Sequence, residues 1–138
     1  MSPVENQKRS VETLRWVNGR LEMIDQRVLP MRFEYLSYSN AKEVAEGIRT
    51  MVVRGAPAIG CAAAYGVALE ALAKKDHPLD AFNFALEHGF ELLAQSRPTA
   101  VNLFWALKRM RRCWEAVSTS SMDEIAQILL KEAHEISA

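Results

Sequence analysis

Two arginines stand where their chemistry could be shared: Arg54, in the run MVVRGAPAIGCAAAYG, and Arg97, in RPTAVNLFWAL. A guanidinium is a planar fork suited to two phosphate oxygens, and it keeps its charge at any physiological pH. Each arginine lies just ahead of a proline where the residue pattern predicts the start of a helix. A helix start offers unpaired backbone N–H groups and about half a positive charge from the macrodipole. Gly55 lets the backbone come close to a ligand. The pattern therefore describes an anion pocket, with a phosphorylated small molecule as its guest. An Arg-Gly pair ahead of a helix also arises as a solvated loop with a C-cap glycine, and spacing alone leaves both open.

The other chemically capable residues are less suggestive. Cys61 and Cys113 are far apart and match no metal or redox spacing. Cys61 falls inside an apolar stretch, where a thiol behaves as a small hydrophobe with a raised pKa. His77, His88 and His134 match no ligand spacing and read as surface or capping residues; neither a metal nor a cofactor is expected. Lys108, Arg109, Arg111 and Arg112 cluster in LKRMRRCW on what should be the outer face of a helix, and they read as a solvated patch. Glu87 and Glu91, one helical turn apart, read as exposed neighbours.

The elements that must position the two arginines follow from periodicity. LRWVNGRLEMID sets short apolar-rich runs around Asn18-Gly19, a two-residue hairpin signal that should pair Leu14–Val17 with Leu21–Ile24. FEYLSYS alternates in type, predicting a third strand over Phe33–Ser37, with Trp16, Tyr35 and Tyr38 packing the sheet onto helices. From Ser39 the period becomes helical, with Ser39 or Asn40 as N-cap and an end near Val53. A second helix runs from Pro57 to about Lys74; it is apolar nearly all round and belongs in the centre, its small residues allowing close approach. A third runs from Pro78 with Leu79, Phe82, Leu86, Phe90 and Leu93 on one stripe, ending at Arg97 because Pro98 follows. A fourth spans about Thr99 to Val117 with Val101, Phe104, Leu107, Met110 and Trp114 inward, and a fifth begins after Ser120 or Ser121. The fold class is thus α+β, mainly α: a small N-terminal antiparallel sheet followed by a bundle of about five helices. Helices two and three, roughly 27 and 25 Å long, share the short link KKDHP. An antiparallel return therefore brings the start of helix four beside the start of helix two, and Arg54 and Arg97 to one end of the bundle.

Composition limits what such a pocket can serve. The 138 residues are the length of one domain; 49% are apolar and 25% charged, as in a globular chain. Seventeen basic and seventeen acidic residues cancel, leaving no overall positive field for a nucleic acid. The start MSPVENQKRSVETLRW has no secretory apolar core, and the longest uncharged run, Ala56 to Leu69, is shorter than the roughly 20 residues that span a bilayer. A soluble, cytoplasmic protein without nucleic-acid or membrane partners is expected. Residues 1–12 read as a polar tail and 13–138 as the domain. The terminal HEISA carries no helix stop, so the chain reads as truncated.

VVRGAPAIGCAAAYG and RPTAVNLFWAL, with LRWVNGRLEMIDQRVLP before them and LLKEAHEIS after, resemble the methylthioribose-1-phosphate isomerase family of methionine salvage. That family shares a superfamily with the regulatory subunits of initiation factor 2B. The likeness covers nearly all of the chain after the first dozen residues. It implies a sugar-phosphate substrate whose phosphate is held by Arg54, Gly55, Ala56 and Arg97. It also implies that the catalytic cysteine and aspartate belong to a Rossmann-like C-terminal domain that this chain lacks. No catalytic residue is therefore assigned here, and the chain alone is expected to be inactive, because a phosphate clamp orients substrate without supplying an acid or base. The missing C-terminal domain is the expected partner, and a homodimer stays open. The alternative is a stand-alone helical regulatory or interaction module like those of the initiation factor subunits.

Overall fold

The computed structural model describes residues 13–138; the tail expected over 1–12 lies outside them. Strands β1 (Leu14–Val17), β2 (Arg20–Ile24) and β3 (Tyr35–Tyr38) form an antiparallel sheet in the order β1-β2-β3. The β1–β2 hairpin turns on Asn18 and Gly19, with φ of 51° and 76°. Both central residues are left-handed, as a two-residue turn matching strand twist requires. The register sets Trp16 opposite Leu21, Leu21 opposite Tyr38, and Met23 between Leu14 and Leu36. All six side chains therefore share one face and join the core. Tyr35 falls on the opposite face, beneath the Arg15 guanidinium at 3.7 Å and edge-on to Phe33, so it does not pack the sheet onto the helices as expected. The reason is parity: one residue separates every alternate side chain from the core. The third strand likewise starts two residues later than predicted.

Five helices follow: α1 (Ala41–Arg49), α2 (Ala56–Lys74), α3 (Leu79–Ser96), α4 (Val101–Ala116) and α5 (Met122–Ser137). Asn40 caps α1 through its side chain, accepting from the Glu43 N–H at 2.8 Å. The helix stops at Arg49, short of the expected Val53. Met51 enters the left-handed region at φ 69°, while its N–H reaches Ile48 O and the Val52 N–H reaches Gly47 O. This is a Schellman closure with methionine in the position glycine usually holds.

α2 is the central helix, with eleven buried residues. It is long and apolar enough by composition to cross a bilayer, but its burial among the other helices is that of a core helix. Small residues make that possible. A Cβ on Gly66 would meet the Leu93 methyls at 3.1 Å and Val44 at 3.4 Å, so α1, α2 and α3 converge there. Glu70 of α2 faces Gly89 of α3, making the two helices antiparallel. Lys75 pairs with Asp123 at 2.8 Å, and Cys61 Sγ lies 3.7 Å from Ile136 O, making α5 antiparallel to α2 as well.

Three predicted core positions are instead exposed. Val101 and Phe104 are 79% and 43% exposed, whereas Leu103, Ala106, Leu107, Met110 and Trp114 are buried. At 100° per residue, Val101 lies about 160° and Phe104 about 100° from Leu103, outside the inward arc. Leu79 shares the inward face of α3 but is its first residue, and its Cβ tilts toward the helix start, away from the packed surface.

Candidate functional site

Arg54 is presented by a loop held from three sides. The Schellman closure ends α1; Val52 and Val53 are buried; and the Gln26 N–H, just past β2, donates to Val52 O at 2.9 Å. Arg54 itself is exposed and has no ion-pair partner among the described residues. Gly55 follows as the N-cap of α2 with φ 95° and ψ 130°, a conformation that L side chains rarely adopt, and nothing lies within 4 Å of where its Cβ would be. Ala56 is the first helical residue, and Pro57 sits in the first turn as predicted. No side chain caps this helix, so the first-turn N–H groups at Ala56 and Ala58 have neither an intrahelical nor a side-chain acceptor among the described residues.

Arg97 ends α3 at φ −146° and ψ 81°. It does not sit directly before a helix. Pro98 and Thr99 form a turn closed by the Ala100 N–H on Arg97 O at 3.0 Å, and α4 starts only at Val101. The prolyl ring keeps its predecessor out of helical geometry, so the turn is needed before a helix can restart. α4, like α2, has no side-chain cap. Arg97 is half-buried, and its Nη1 is fully buried with no hydrogen-bond partner among the described residues. An unmet buried donor costs roughly 1–3 kcal/mol, more when charged, so native structures rarely leave one.

The contacts bring both arginines to one end of the bundle, as the helix lengths predicted. A Cβ on Gly60 would lie 3.0 Å from the backbone oxygen of Asn102, so the first turns of α2 and α4 touch. α3 runs antiparallel to α2, which carries its last turn, and Arg97 after it, to the start of α2. The result is an edge with two uncapped helix starts and two guanidinium groups. It is one wall and not an enclosed cavity. A cleft of about 810 Å³ opens elsewhere, between the sheet and α1, beside Tyr38, Glu43 and Thr50, and none of Arg54, Gly55, Ala56 or Arg97 lines it.

Other side chains expected to be idle are engaged. Arg111 grips Glu87 with both terminal nitrogens, at 2.7 and 3.0 Å, and its guanidinium lies over Phe90. Arg109 pairs with Glu132 at 2.5 Å. Half of the basic patch thus ties α4 to α3 and α5. His134 stands 2.7 Å from the Tyr65 hydroxyl and edge-on to Trp16, which stacks on Tyr65. Burial raises the thiols of both half-buried cysteines above their ordinary range. Sequence reading missed Asp25, which is 4% exposed and held by Arg27. Its only signal was the i, i+2 opposition of charges after a strand.

The profile of the Initiation factor 2 subunit family matches residues 52–138. The methylthioribose-1-phosphate isomerase of Albidiferax ferrireducens is 64% identical over 129 residues, which cover 94% of this chain and 36% of that protein. The enzyme of the same name from Pseudomonas aeruginosa is 55% identical over 101 residues, covering 73% and 28%. Among solved structures, the 5-methylthioribose 1-phosphate isomerase of Pyrococcus horikoshii superposes with a TM-score of 0.85 at 44% identity, over 90% of this chain and 35% of that one. The delta subunit of translation initiation factor eIF-2B from A. fulgidus gives 0.82 at 36% identity, over 91% and 36%. The chain spans about a third of the length of these relatives.

Proposed function

The chain belongs to the Initiation factor 2 subunit family, and on that premise we propose that it is the N-terminal, substrate-binding part of a methylthioribose-1-phosphate isomerase. Arg54 and Arg97 hold the substrate phosphate from two sides, while the backbone at Gly55 and Ala56 offers it N–H donors at the start of α2. The Nη1 of Arg97, buried and without a hydrogen-bond partner among the described residues, carries this reading. A phosphate oxygen would satisfy it by a charge-assisted bond, roughly twice as strong as a neutral one. The described residues supply binding and orientation and no acid–base pair. Moving a hydrogen between neighbouring sugar carbons then falls to the remaining two-thirds of a full-length relative, the chain's natural partner. A cytoplasmic setting goes with such an activity.

Inorganic phosphate or ribose 5-phosphate should raise the melting temperature of the chain. At tenfold over Kd the gain is about 1.4 kcal/mol, or roughly 4 °C. Arg54→Ala with Arg97→Ala should abolish the shift, and the unmutated chain should show no isomerase turnover. Absence of any shift in the unmutated chain removes the phosphate site. It would favour a second reading, a stand-alone helical module, which draws on the same architecture in a protein named as a translation factor subunit.

A further inference from the structure

Asp25 is the most enclosed charged residue outside the helices, with 4% of its surface exposed at the end of β2. Burying a carboxylate is costly unless it is fully bonded, and here every polar group of the residue is used. Arg27 donates through Nε to Oδ1 and through Nη2 to Oδ2, both at 2.9 Å, and its backbone N–H reaches Oδ1 at 3.0 Å. The Asp25 N–H donates to Glu34 O at 2.7 Å, and its carbonyl accepts from Val28 at 3.3 Å. The next residue is Gln26, whose N–H holds Val52 O at 2.9 Å, two residues before Arg54. The β2 turn and the Arg54 loop are thus joined by a single backbone bond, and the peptide that donates it is fixed by the Asp25–Arg27 pair.

We propose that Asp25 is a positioning residue for Arg54: with Arg27 it fixes the turn whose Gln26 N–H anchors Val52, and so sets where the Arg54 guanidinium meets an anion. The inference rests on the phosphate site proposed above. Arg97 belongs to a different connection, between α3 and α4, and receives nothing from this turn. The two arginines should therefore respond differently when the turn is loosened. Displacing a binding group by a fraction of an ångström is enough to weaken a directional contact severalfold.

The test uses Asp25→Asn and, at the exposed end of the pair, Arg27→Met. Two readouts are taken on the full chain. In hydrogen exchange, residues 50–58 should lose protection in both variants while α3 and α4 keep theirs. In a titration with inorganic phosphate followed by the arginine side-chain NMR signals, the Arg54 response should weaken about fivefold with little change at Arg97. Unchanged exchange over 50–58 in both variants overturns the proposal, as does a uniform loss of protection, which would mean that Asp25 merely supports the fold. A chain that gives no phosphate response at all removes the phosphate site instead. The exchange result still decides whether Asp25 controls the Arg54 loop.

Discussion

Tyr38 shows how a single side chain can couple packing to pH. It is 7% exposed, with its hydroxyl 2.9 Å from where a Cβ on Gly47 would stand. Burial, the largest cause, pushes the phenol up to about 12 from 10.0. A folded-state pKa above the unfolded one gives stability that is complete below about pH 10 and is lost as pH rises toward 12, because the unfolded chain ionises first. The melting temperature should fall between about pH 10 and pH 12, and Tyr38→Phe should remove a measurable part of that fall. An identical fall in the variant would show that the hydroxyl is solvated. Arg97 is the opposite case, with a buried Nη1 that has no hydrogen-bond partner among the described residues.

At the scale of elements, the contact between α2 and α4 matters most, because it sets the two uncapped helix starts side by side. That contact depends on Gly60. A methyl there would meet the Asn102 backbone oxygen at 3.0 Å, and a backbone atom cannot rotate aside as a side chain can. Gly60→Ala gains about 1 kcal/mol of helix propensity but should lose about 1–3 kcal/mol by forcing the helices apart. The net result should be a lower melting temperature and weaker phosphate binding. A stabilised variant, measured by urea unfolding, would mean that α4 can slide without cost. The basic cluster on α4 also has an elemental role. Arg111 and Arg109 brace α4 against α3 and α5, and the Arg111 pair holds the Glu87 carboxyl below its usual range.

Over the whole molecule, α2 touches the other four helices, and Tyr65 within it carries Trp16 of β1 in a stack at 5.4 Å. No sub-assembly of these elements keeps a core of its own. Unfolding should therefore be a single transition, with helix loss by circular dichroism and the change in tryptophan fluorescence coinciding. Separate midpoints would show that the sheet detaches before the bundle melts. Large exposed apolar side chains lie in the connections and in the first two turns of helices, including Met51, Val101, Phe104 and Trp105. Met51 and Val101 lie at the end that carries the two arginines.

Local chemistry was legible without the fold. Asn18-Gly19 demands positive φ at both positions, Asn40 and Ser121 are natural caps, and an all-round apolar run such as Ala56–Leu69 has nowhere to lie but the centre. The two arginines could be placed at a common bundle end from helix length and a short link alone. Boundaries and facing were not legible. That Met51 would take a left-handed conformation depends on Val52 and Val53 finding burial, and the inward arc of α4 depends on where the turn after Arg97 lets the helix restart. Asp25 was missed because its bonding partners reach it only through the closure of the turn between β2 and β3. The burial of the Arg97 Nη1, without a partner among the described residues, is also a property of the packed state, since it depends on neighbours that only the tertiary fold brings together.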